Sequence, residues 1–263
     1  MWALFPILLH FFSVSTSIVT KIGYDISYPS CGESYPTMQG FIIVGVNGGT
    51  VVRTNPCLVT ELFWAGQSLS TSRQAKMQLY VNTGNPGGYT PFWSITNIDP
   101  LGNIAPNPYG TCDGSDSVVC SWQYGWNSVV DDINNKFIPS ATAARVDVIP
   151  SDYLWWLDVE TKNSWESGSP DALAKNRVDL EGMVAAFHAN GIPVGIYATS
   201  IQWEKIVGIV PAKSNLNGLR NWRPGASDLL GAQLNCSLTP LTPGGSVTMT
   251  QYTTTIDYDY SCF

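Results

Sequence analysis

Histidine is scarce in this chain, at two in 263 residues. His10 falls in an apolar leader, so His188 is the one imidazole expected in the mature protein. That excludes most serine–histidine and cysteine–histidine nucleophile schemes, and a lone histidine on a helical face is usually solvated or packed. No C-x-x-C pair occurs, which removes support for a zinc site of the Cys/His type. Charged residues are few, at 13%, and carry a net charge of −7 with no run of Lys or Arg. Clustered cations are what nucleic acids and anionic membranes bind, so neither partner is expected. No G-x-G-x-x-G follows the first strand-like segment, and Gly48-Gly49 after the second reads as a turn, so a dinucleotide is not expected either. The reading is therefore of a protein with no metal and no cofactor.

The first 20 residues hold an apolar stretch of about a dozen followed by small residues, too short to span a bilayer and of the form of a secretory signal peptide cleaved between Ser15 and Thr20. Residues 21–263 are then one mature domain, extracellular, without stable membrane association and monomeric. Six cysteines lie in it, and an even count in a secreted chain points to disulfides. Nearness in sequence and in the expected architecture pairs Cys31 with Cys57, Cys112 with Cys120, and Cys236 with Cys262. The sequon Asn235-Cys236-Ser237 is formally a glycosylation site.

Short apolar runs predict strands at 22–27, 41–47, 77–82, 154–160, 194–199, 218–222, weakly at 231–235, and at 247–252. The clearest helix spans 171–190, with Ser169 as N-cap, Pro170 at its first position, and Leu180, Met183, Val184 and Phe187 on one face. Weaker helical patterns cover 58–70, 123–135 and 201–207. Alternating strands and helices, with strands apolar on both faces, imply a parallel sheet. Eight strands imply a single α/β domain, an irregular (β/α)8 barrel of the TIM type with disulfide-bonded loops and a site at the carboxyl ends of its strands. The Asn-, Pro- and Gly-rich segment 83–120 is too long to be a mere connection and is expected to wall one side of a cleft.

Trp155-Trp156-Leu157-Asp158-Val159-Glu160 carries the chemistry. An extended Asp-x-Glu puts both carboxyls on one face about 6.6 Å apart, where each disfavours the other's charge and the indoles add desolvation. A protonated acid beside an ionised carboxylate is equipment for cleaving a glycosidic bond. Asp-x-Glu alone is common enough to favour a structural reading, with Asp158 capping the following turn and Glu160 in a surface ion pair. What strengthens the catalytic reading is the fall of polar residues at the other strand ends: Asp25, Asn47, Asn82, Tyr197, Trp222, Gln251 and Tyr252 would meet at one barrel mouth.

Gly23-Tyr24-Asp25-Ile26-Ser27, Leu157-Asp158-Val159-Glu160, Gly195-Ile196-Tyr197, Gln251-Tyr252 and Ile256-Asp257-Tyr258-Asp259, in that order, resemble glycoside hydrolase family 25, the lysozyme-type muramidases with an irregular β/α barrel. The resemblance implies Glu160 as proton donor, Asp158 as the partner carboxylate that steadies an N-acetyl group, Asp25 as the first-strand acid and Asp257 as the acid of the closing segment. Asp259 departs from it, standing where the family usually has Asn, as do the long 83–120 segment and the disulfides. The chitinase pattern D-x-x-D-x-D-x-E also ends a barrel strand in Asp-x-Glu, but Tyr153 and Trp156 here replace two of its four acids. The expected activity is hydrolysis of a glycosidic bond beside an N-acetylated sugar, most plausibly in peptidoglycan, with Asp257, Tyr197, Trp222, Gln251, Tyr252 and Asn82 binding the glycan and Trp156 a further candidate platform. The competing expectation is a catalytically silent barrel that binds a glycan or a protein.

Overall fold

Eight strands close into one barrel in chain order: β1 (Ile22–Ile26), β2 (Ile42–Gly45), β3 (Met77–Asn82), β4 (Leu154–Asp158), β5 (Val194–Tyr197), β6 (Arg220–Ala226), β7 (Ser246–Thr253) and β8 (Asp257–Ser261). The computed structural model describes residues 21–37, 39–69 and 73–263; the expected signal peptide lies outside them. Neighbouring strands are parallel from β1 to β7, and β8 runs antiparallel to both β7 and β1. Two expectations are corrected here. The segment 231–235 belongs to a helix, α6 (Leu229–Asn235), capped by Asp228 through Gly231 N–H. The closing strand is 257–261, reached by a tight turn after β7, so its direction reverses and the sheet is not wholly parallel.

The other helices are α1 (Leu58–Ala65), α2 (Val118–Asp131), α3 (Ile138–Ala144), α4 (Pro170–Ala189) and α5 (Ser200–Ile206), with a π-helical turn, Asp132–Phe137, joining α2 to α3. Ser169 caps α4 by accepting from Ala172 N–H, and Pro170 follows, where a missing donor costs nothing.

Strand alternation sorts β4 into two environments. Trp155 and Leu157 face the helical layer, where Trp155 meets Phe137 and Phe187 at ring distances of 5.3 Å. Burying a side chain such as Leu157 contributes about 2 kcal/mol. Leu154, Trp156 and Asp158 face the barrel interior, which Phe41, Ile43, Trp222 and Met249 also fill. Inward glycines make room for these rings: a Cβ on Gly23 would lie 2.5 Å from the Phe41 ring, and one on Gly195 2.4 Å from the Trp156 ring. The interior is thus a packed aromatic floor, and polar chemistry is confined to the mouth above it. Outside, α2 and α4 meet backbone to backbone, since a Cβ on Gly182 would lie 2.0 Å from the Trp122 carbonyl oxygen. Three disulfides form, Cys31–Cys57, Cys112–Cys120 and Cys236–Cys262.

Candidate active site in the barrel mouth

The parallel strands deliver Asp25, Asn82, Asp158, Tyr197, Trp222 and Gln251 to one end of the barrel. Because β8 is reversed, its first residue, Asp257, arrives at the same end. These seven, with Ser27, Tyr28, Tyr80, Glu160 and Lys162 among others, line a cleft of about 550 Å3.

Asp158, the last residue of β4, is 5% exposed. Asn82 Nδ2 donates to its Oδ2 at 2.7 Å, and Asn82 is itself fixed by its backbone N–H, which donates to Asn47 Oδ1 at 2.7 Å. The second oxygen, Oδ1, has no protein partner. Burial, with Glu160 adding its charge, pushes the Asp158 carboxyl well above the usual carboxylate range, against the opposing pull of Lys162 and Asn82.

Glu160 lies two residues past the end of β4, so the shared-strand-face geometry is corrected. A turn places it instead: its carbonyl accepts from Asn163 N–H at 3.1 Å and Trp165 Nε1 at 2.9 Å. The carboxylate sits at the rim, 17% exposed, with Oε2 paired to Lys162 Nζ at 2.6 Å and Oε1 accepting from Gln202 Nε2 at 3.5 Å. Gln202 is also the third-position partner of Thr199 in the capping box of α5, with Oε1 accepting from Thr199 N–H at 2.9 Å.

Opposite these, a polar relay crosses the mouth. Tyr197 donates to Gln251 Oε1 at 2.9 Å, and Gln251 Nε2 donates to Asp25 Oδ2 at 2.8 Å. Burial, and next the neighbouring Asp257 charge, lift the Asp25 carboxyl from its usual 3.8 to about 7, while the Gln251 bond opposes the rise. Beneath it Asp259 is fully buried and faces Asp25 and the Trp222 indole, although no contact of its oxygens meets strict hydrogen-bond geometry. Burial and then Asp25 push Asp259 well above the carboxylate range. The barrel mouth therefore holds five carboxyls in unequal surroundings.

No protein-family model matches the sequence, and no curated protein is significantly similar to it. Among solved structures, the chain is similar to a muramidase from Trichobolus zukalii, at 16% identity over 92% of this chain and 93% of that one with a TM-score of 0.44. It is similar to the lysozyme from Streptomyces coelicolor, at 14% identity over 91% of each chain with a TM-score of 0.46. It is also similar to a family GH25 lysozyme from Aspergillus fumigatus, at 12% identity over 91% and 92% with a TM-score of 0.42. What the cleft can do follows from its own side chains.

Four expected contributors are absent from its lining. Asn47 is fully buried behind it, accepting from Asn82 N–H and donating to Asp132 Oδ1. Tyr252 follows Gln251 on β7 and so faces the outside of the barrel, where its ring stacks on Tyr258 at 5.0 Å. Trp156 is fully buried in the floor, its indole N–H donating to Gln78 Oε1 at 2.7 Å, and cannot present a stacking face. The 83–120 segment lines none of the cleft; it folds onto α2 through Cys112–Cys120 and the stacked Trp93–Tyr124 pair. Lys162, Gln202, Tyr80 and Tyr28 escaped the sequence reading. Of these only Gln202 had a usable signal, the Thr199-x-x-Gln202 capping box. Among the described residues, no group of three or more His, Cys, Asp or Glu side chains could hold a metal ion, and no helix is long and apolar enough to cross a membrane.

Proposed function

We propose that this protein is a secreted glycoside hydrolase that cleaves a glycosidic bond beside an N-acetylated sugar, with peptidoglycan as the natural polymer. The observation that carries this reading is the convergence of Asp158 and Glu160 on one open cleft. Asp158 is sunk at the end of β4 with Oδ1 unpartnered, and Glu160 stands at the rim. Two carboxyls facing one cleft are the equipment for acid catalysis at a sugar acetal. Glu160 protonates the leaving oxygen and later recovers its proton from water. Asp158, with Oδ2 accepting from Asn82, presents Oδ1 to the acetamido group of the substrate. Asp25, Gln251 and Tyr197 form a polar wall suited to sugar hydroxyls, and Asp257 joins it from β8. Trp222 and Tyr80 give the wall an apolar base.

The Glu160–Lys162 ion pair favours a second reading, a barrel that binds a glycan without cutting it, since both Glu160 oxygens are engaged. Digestion of purified peptidoglycan and of chitin by the mature protein separates the two, with borohydride reduction of the products to identify the sugar at each new end. Reduced N-acetylated sugar released from peptidoglycan is the expected outcome. A folded protein that binds either polymer and generates no new ends would establish the second reading.

A further inference from the structure

The cleft is lined by the carboxyls of Asp25, Asp158, Glu160 and Asp257, and among the described lining residues Lys162 is the one cation. Its side chain is 74% exposed and its ammonium rests on Glu160 Oε2 at 2.6 Å, while Gln202, fixed in the α5 cap, donates to Oε1 at 3.5 Å. Of these two contacts the one to Lys162 is the shorter, and a glycosidic oxygen gains freer access to Glu160 once a partner lets go. Gln202 is anchored in the cap, and Lys162 is a solvated side chain on a turn, so Lys162 is the one that can leave. An exposed ion pair is worth little, about 0 to 1 kcal/mol, and gives way readily to a competing anion. The carboxyls named in this lining offer a substrate carboxylate no attraction, so this ammonium is its one cationic partner among the described lining residues.

We infer that Lys162 is a specificity residue that binds a free carboxylate carried by the glycan and, in turning toward it, uncovers Glu160. The ligand class is an acidic N-acetylated glycan: either one containing a uronic acid, or a muramic acid chain whose lactyl carboxylate is not blocked by a peptide. The inference rests on the hydrolase reading for its consequence in turnover, but the carboxylate preference itself is a binding property.

The test uses two matched pairs of soluble oligosaccharides. One alternates N-acetylglucosamine with muramic acid, as free lactyl acid or methyl ester; the other contains glucuronic acid, intact or carboxyl-reduced. Affinities are measured by calorimetry for the Glu160→Gln protein and for the same protein carrying Lys162→Met or Lys162→Arg, and turnover is measured in parallel with wild type and Lys162→Met. The expected result is a roughly tenfold preference for the acid in one pair, the size of a charge-assisted hydrogen bond. Lys162→Met should abolish it, Lys162→Arg should keep it, and the pair that shows it names the source of the carboxylate. Equal affinity for acid and neutral forms in both pairs, or a preference that survives Lys162→Met, overturns the inference. Preference without any turnover by wild type would overturn the hydrolase reading while leaving Lys162 as a carboxylate anchor.

Discussion

Replacing Asp25 by Asn should make the protein more stable at neutral and alkaline pH while impairing the site. In the fold the Asp25 carboxyl is lifted from 3.8 to about 7, by burial first and by Asp257 second. A group raised on folding contributes stability that is complete below its unfolded value near 4 and is lost as pH climbs through the folded value. An interval of about three pH units, at about 1.4 kcal/mol each, sets a ceiling of about 4 kcal/mol on what ionised Asp25 costs above pH 7. Asp259, buried against it, titrates together with Asp25, which lowers the expected figure to about 2–3 kcal/mol. Asn fills the same volume and still offers an oxygen to Gln251 Nε2, now 2.8 Å from Oδ2. Urea unfolding of wild type and Asp25→Asn at pH 4, 6 and 8 checks this. The variant should match wild type near pH 4 and exceed it by about 2–3 kcal/mol at pH 8. An offset of one size at all three pH values would refute the reasoning, because it would mean that the carboxyl is not protonated preferentially in the fold.

Asp179 on α4 is fully buried with both oxygens unpartnered, and burial pushes it well above the carboxylate range. Between pH 5 and 6 the stability of Asp179→Asn relative to wild type should therefore rise by about 1.4 kcal/mol per pH unit, as for one proton bound only by the folded chain; parallel curves would contradict this. Gly182→Ala places a methyl where the Trp122 carbonyl stands, 2.0 Å from the new Cβ. Forcing α2 and α4 apart should cost about 3 kcal/mol or prevent folding, measured as a fall in Tm, and an unchanged Tm would show that the helices separate freely. Removing the Cys31–Cys57 disulfide as a double serine variant opens a loop spanning 26 positions and should cost about 3–4 kcal/mol in denaturant unfolding. A loss below about 1 kcal/mol would mean that this loop is held mainly by its noncovalent contacts.

The strands that run uninterrupted from apolar residues into a polar terminus, β1, β3, β4 and β5, were legible because alternation and burial act on neighbouring residues. Segment 231–235 was misread because Leu229, Leu230, Leu234 and Leu238 make a short apolar run with neither period developed, and the Asp228 cap that decides for helix is one side chain. The strand read into 231–235 moved Gln251 one strand along in the count but left it at the right end of the barrel, and it took the place of the reversed β8. Tyr252 was lost by parity: whichever of Gln251 and Tyr252 faces inward excludes the other. Asp158 and Glu160 do meet in one cleft, but a turn braced by Trp165 and Asn163 brings them there, and such bracing is tertiary. Lys162 was invisible for the same reason, since an exposed lysine two residues from a glutamate signals nothing until the turn points it back over the carboxylate.

The most direct test of the central claim is to measure kcat and Kd together for wild type and Glu160→Gln on one soluble peptidoglycan fragment. Loss of at least 1000-fold in kcat, with Kd changed by less than about fivefold, is the predicted split for a group whose main contribution is to the transition state. A Glu160→Gln protein that still cleaves the fragment within tenfold of wild type would contradict the assignment of Glu160 as the acid.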